Sequence, residues 1–167
     1  MKCYTCDVEM VERKTTDDAP YPYVLSGLKD VYLVGIVVRW CPKCKGESPV
    51  IPRIAELHRV IVETLVRQPR SLTGSEVRFL RKNVGFSAKD FASLLGVTPE
   101  HLSRVETGHT KSLGPTADRL ARALAIVGGG DKTREILLEV AHKLAGKTKK
   151  APPPVFKLER HRWLAAA

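Results

Sequence analysis

Nowhere in the chain do eighteen apolar residues follow one another, and its start has no basic stretch leading into an apolar one. The sequence therefore predicts neither a membrane-spanning helix nor a signal peptide, and the expected location is the cytoplasm. Catalytic groupings are missing as well. No Ser/His/Asp set, no phosphate-cradling glycine loop and no metal site with an open position can be assembled, so an enzyme is not expected. Cysteine is scarce, at four of 167 residues, and aromatics make up 6%. In a reducing compartment so few thiols are not a disulfide framework, and closely spaced cysteines there hold metal or do redox work.

The four cysteines are paired. "MKCYTCDVEM" places Cys3 and Cys6 two residues apart, and "WCPKCKGE" repeats the spacing at Cys41 and Cys44 after 34 residues. Each C-x2-C forms a knuckle that aims two thiolates at one point, and two knuckles make the tetrahedral sulfur cage that zinc prefers. Four thiolates close the coordination shell, so the expected Zn(2+) is structural. A redox pair would need a single C-x2-C in a βαβ context, which is absent. Lys45 follows Cys44 where such knuckles often carry glycine, and Gly46 comes one position later.

Between the knuckles, residues 8–16, "YPYVL" and a β-branched run at 31–40 read as strands separated by "DDAP" and "SG" turns. The expectation is one small antiparallel sheet pinned at one end by zinc. Tyr21, Tyr23, Tyr32 and Trp40 fit either a miniature core or a stacking platform for single-stranded nucleic acid. "PRIAELHRVIVETLV" then sets Ile54, Leu57, Ile61 and Leu65 at helical spacing, a helix expected to dock on the zinc sheet, with His58 an ordinary passenger. "RQPRSLTG" breaks the pattern. The domain reading is a zinc-ribbon module with trailing helix at 1–67, a linker at 68–74, a helix-turn-helix domain at 75–146 and a basic, Pro-rich tail at 147–167.

Charge divides near the same place. Residues 1–66 hold nine Lys/Arg against nine Asp/Glu, and the remainder nineteen against nine, so the net +10 belongs to the second part. One neutral and one basic half imply a polyanionic partner on the basic side. There, Thr73 and Glu76 form a capping box for a helix to about residue 83. A second helix starts at Ser87, carries Phe91, Ala92 and Leu95, and stops at Gly96; a third has Thr98 as cap, Pro99 in its first turn, and ends at Gly108. Two short helices about a glycine turn make a helix-turn-helix, and the later one enters the DNA major groove. The fold class is thus α+β, a small zinc-bound antiparallel sheet with a helix, then an all-α helix-turn-helix domain.

Residues 74–127 resemble the lambda-repressor-like (Xre) helix-turn-helix domains through "AKDFASLLGVTPEHLSRVETG" and "GPTADRLARALAIV". Joined to the two-knuckle module, the whole of residues 1–127 is similar to the MqsA antitoxins, in which a YgiT-type zinc finger binds a toxin and the C-terminal domain dimerises and represses its own operon. The resemblance implies a dimeric repressor of a double-stranded DNA operator with a cognate toxin as partner. It puts base-reading residues at Glu100 and Arg104. The spacing independently sends Leu102 and Val105 inward and leaves Glu100, His101, Ser103 and Arg104 outward. Arg104 either grips guanine or pairs with Glu100 one turn earlier. Glu100 accepts from a cytosine amine or stabilises the helix start, and His101 and Ser103 read a base edge or phosphate. Lys89, early in its helix, suits phosphate or simply water.

The alternative to an antitoxin is an interaction adaptor whose zinc module binds some other protein, or an autonomous transcriptional regulator. Beyond "GGG", "DKTREILLEVAHKLAG" reads as one more amphipathic helix, with Ile136, Leu137, Val140, Ala141 and Leu144 on one side. The tail is a DNA arm, a segment docked through Phe156 and Trp163, or, as its composition suggests by default, disordered.

Overall fold

In the computed structural model, which describes residues 1–127 and 153–165, the strand-forming residues divide between two sheets. The elements in chain order are β1 (Val11–Lys14), β2 (Tyr21–Pro22), a 3-10 turn at Val24–Ser26, β3 (Tyr32–Val34), β4 (Val37–Trp40), β5 (Glu47–Val50) and α1 (Ile54–Arg67). They continue with α2 (Gly74–Asn83), α3 (Ala88–Leu95), α4 (Pro99–Glu106), α5 (Pro115–Val127), β6 (Val155–Glu159) and β7 (Arg162–Ala165). The α+β class is as the sequence indicates, an antiparallel sheet beside the four cysteines followed by helices. The first sheet runs β1-β4-β5, all antiparallel, and the second runs β2-β3-β6-β7.

The single run expected at 31–40 is two strands. Gly35 breaks it with φ +85°, a left-handed step that glycine makes without strain, and a Cβ there would lie 2.8 Å from the Leu158 carbonyl oxygen. The chain thus passes close to β6 and switches sheets. Thr15 binds the corner, its hydroxyl accepting from the Ile36 amide at 3.1 Å and donating to the Ile36 carbonyl at 3.2 Å. Of the aromatics, Tyr21 and Tyr23 are buried in the core, while Tyr32 and Trp40 are half-buried.

Disorder, the default reading of the tail, fails for its end. β6 lies parallel to β3, with Phe156 opposite Leu33, and turns back as β7. Phe156 and Trp163 are buried, and the Trp163 indole donates to the Pro52 carbonyl at 2.8 Å. Each buried ring contributes roughly 1.5–3 kcal/mol by area, enough to hold a short hairpin on a sheet that already exists. Arg53, at the α1 N-terminus, adds a hydrogen bond to the His161 carbonyl. The amphipathic helix expected after residue 130 lies outside the described residues.

Helix α1 packs against β7, α5 and α2. Its buried stripe is Leu57, Ile61, Val62, Leu65 and Val66, while Ile54 at the first turn is exposed. Its last carbonyls meet a fully buried guanidinium. Arg122 of α5 donates to the carbonyls of Val66 at 3.0 Å and Gln68 at 2.8 Å, and its Nε to Asp118 at 2.7 Å. Asp118 in turn accepts the Leu72 amide at 2.7 Å. Helix ends leave carbonyls without intrahelical partners, and here an arginine from a distant helix supplies them. Residues 68–72 are thereby tied down, with Gln68 and Leu72 buried, and one apolar core runs from Tyr21 through α1 and α5 to Trp163.

Candidate metal centre and nucleic-acid interface

The cysteine pairs meet across the first sheet. β1 and β4 are register partners, Val11 opposite Trp40, so the residues before β1 and after β4 lie at the same end. The two knuckles are built alike. The amide of Asp7 returns to the Cys3 carbonyl at 3.0 Å, and that of Lys45 to the Cys41 carbonyl at 2.9 Å. The Cys3 amide reaches Val8 and the Cys41 amide reaches Gly46 at 2.8 and 2.9 Å. Asp7 and Lys45 both take left-handed φ, 54° and 60°, so the glycine missing at position 45 is replaced by a strained lysine whose ammonium lies over Trp40 at 5.0 Å from the ring centroid.

All four Sγ atoms lie within 4.8 Å of one another, with Cys3 to Cys44 at 3.5 Å and Cys6 to Cys41 at 3.2 Å. A tetrahedral zinc with Zn–S of about 2.3 Å needs sulfur separations of about 3.8 Å, a size this cluster brackets. The four cysteines are therefore placed to bind a metal ion such as zinc. Protonation follows the same geometry. Backbone hydrogen bonds from Cys44 and Lys43, with the Cys6 thiol, hold Cys41 down to about 6, while its bond to Cys41 and burial push Cys6 up to about 12.

The helical part is fixed by its caps. Thr73 and Glu76 form the reciprocal capping box of α2, with the Thr73 amide 2.7 Å from the Glu76 carboxylate, which Arg70 also holds with two bonds of 2.6 and 2.9 Å. Ser87 and Thr98 cap α3 and α4 through the amides of Asp90 and His101, each at 3.1 Å. Between them Gly96 has φ +67°, and the amides of Gly96 and Val97 return to the carbonyls of Ser93 and Ala92. This turn sets α4 across α3. Leu102 and Val105 are fully buried, as their spacing predicts.

Among the described residues nothing covers the remaining face of α4. Glu100, Ser103 and Arg104 are exposed and His101 half-buried; Lys89 is exposed in the first turn of α3. Among the described residues Arg104 forms no ion pair with Glu100, so its guanidinium is not committed. Sequence reasoning missed what holds α4 in place. Arg81 of α2 grips Glu106 with bonds of 2.7 and 2.8 Å and donates to the Phe86 carbonyl at 3.0 Å, the carboxylate raising its pKa. The partners are 25 positions apart, so no local spacing announces them. Gly74, the last residue of the "RQPRSLTG" stretch, has a packing role that the sequence did not announce. It is the first residue of α2, and a Cβ there would fall 1.9 Å from the Val105 carbonyl oxygen.

Residues 77–127, from within α2 to the end of α5, match the helix-turn-helix family. No curated protein and no solved structure matches the chain. The family match supports a DNA-binding transcriptional regulator.

Proposed function

We propose that this protein represses transcription by binding an operator as a homodimer, and that it is the antitoxin of a toxin–antitoxin pair whose zinc-bound N-terminal sheet engages the toxin. What carries the DNA reading is α4, anchored by Leu102, Val105 and the Arg81–Glu106 clamp, and presenting an uncommitted Arg104 with Ser103 and Glu100. Arg104 reads a guanine edge, His101, Ser103 and Glu100 flank it, and Lys89 binds phosphate. Cys3, Cys6, Cys41 and Cys44 hold the zinc, which supplies structure and no chemistry. The antitoxin reading is supported by the similarity to the MqsA architecture and by the neutral first half joined to a basic second half, which leaves the N-terminal part without a net positive charge for DNA.

Operator binding of the full chain tests the first part. Arg104→Ala should cost about 1–3 kcal/mol per half-site and relax preference at one symmetric base position, whereas Lys89→Ala should weaken binding to all sequences and reduce the salt slope. Half-sites should lie about one helical turn apart. Unchanged affinity and base preference in an Arg104→Ala protein that melts normally would refute the role of α4. Co-purification with mass spectrometry tests the second part. A small basic ribonuclease-like partner, lost when the N-terminal sheet is altered but retained by Arg104→Ala, is the expected result.

A further inference from the structure

We infer that the junction between the N-terminal half and α2 is a binding site for a small organic anion with a flat apolar body. A cleft of about 480 Å³ opens there, between the turn at Val24–Ser26, the side of α1 and one face of α2. This volume falls in the range of small-molecule sites, which favour junctions of this kind.

The floor of the cleft is aromatic. His58 meets Phe79 edge to face, with centroids 5.4 Å apart, and is bonded through Nε2 to the Tyr23 hydroxyl at 3.0 Å. Burial lowers the His58 pKa, so near neutral pH the floor is an uncharged surface. Leu25 forms a wall and is 78% exposed, an apolar side chain beside the cleft that no described residue covers. Above these stand Arg78 and Lys82, exposed and one helical turn apart on α2. Neither has an ionic partner among the described residues. The one carboxylate of the lining, Glu106, is committed to Arg81 by two bonds.

The charge of the cleft is therefore positive, and beside the polar Ser26, Ser75 and Asn83 it offers an apolar wall at Leu25 and an aromatic floor. A DNA phosphate would use the two cations but leave Leu25 and the aromatic floor facing water. A neutral apolar molecule would use the floor and leave both cations unanswered. A carboxylate or sulfonate on an aromatic frame satisfies both at once, its ring between Leu25 and the His58/Phe79 floor and its anionic end toward Arg78 and Lys82. Such a ligand would touch both halves of the chain while leaving the exposed face of α4 open.

The test is titration of the full chain with 8-anilinonaphthalene-1-sulfonate, followed by fluorescence and by calorimetry for stoichiometry. One saturable site per chain is expected, weakened at least tenfold by Arg78→Gln/Lys82→Gln and, independently, by Leu25→Asp. Arg119→Gln, an exposed charge removed from α5, should leave it unchanged. Neutral N-phenyl-1-naphthylamine should bind at least tenfold more weakly than the anion. Unchanged affinity in either cleft variant, an equal loss in Arg119→Gln, or equal binding of the neutral probe overturns the assignment.

Discussion

Arg122 shows how much one side chain can decide. It is fully buried, and its guanidinium satisfies carbonyls at the end of α1 as well as Asp118. Replacing it by Met should destabilise the protein by about 3–5 kcal/mol in urea melts, because Asp118 stays buried and charged without its partner. Arg122→Lys should rescue little, since an ammonium lacks the planar fork. Position 122 could not be singled out in advance, as an arginine amid "DRLARALAIV" looks like any solvated charge. The cysteines and caps were legible because their partners lie within a few residues or share a rare element. His58 also titrates with consequence. Its folded-state pKa is depressed by burial, so its contribution is fully present above the ordinary value of 6.5 and is lost as pH falls through the folded value. The stability advantage of wild type over His58→Gln should therefore shrink between pH 7 and 5, measured by denaturant unfolding.

At the scale of elements, helices were easier to read than strands. α2, α3 and α4 are capped by Thr73, Ser87 and Thr98 as the sequence indicates, and Gly96 closes α3. The strands depend on distant partners. Nothing near Gly35 reveals that Leu158 will pack against it, so the split of 31–40 between two sheets was hidden, as was the β6–β7 hairpin. Close approach also governs α2 against α4. Gly74→Ala would drive a methyl into the Val105 backbone, so α2 or α4 must move. The expected outcome is a loss of about 1–3 kcal/mol in thermal or urea unfolding. Weaker operator binding in band-shift assays should accompany it, since α4 carries the proposed reading face.

For the whole molecule, the two sheets stand on different footings. β1 and β5 bury little, their residues being exposed or half-buried, and of the first sheet's strands only Val38 joins the common core. The second sheet shares that core with α1, α2 and α5. Chelation should therefore release one zinc per chain and expose the amides of β1, β4 and β5 to hydrogen exchange, while α2 to α5 keep their protection. Loss of protection throughout the helices on chelation would show that the cysteine cluster supports the entire core.

The parallel pairing of β3 with β6 also has a consequence in time. Leu33 and Phe156 are register partners, so on the ribosome the first waits for the second to be synthesised. At roughly 5–20 residues per second that interval is on the order of ten seconds. Throughout it the β3 edge of a nascent chain is unpaired, and an unpaired edge is a template for any passing strand. The newborn protein thus presents a surface that the finished one has sealed with β6.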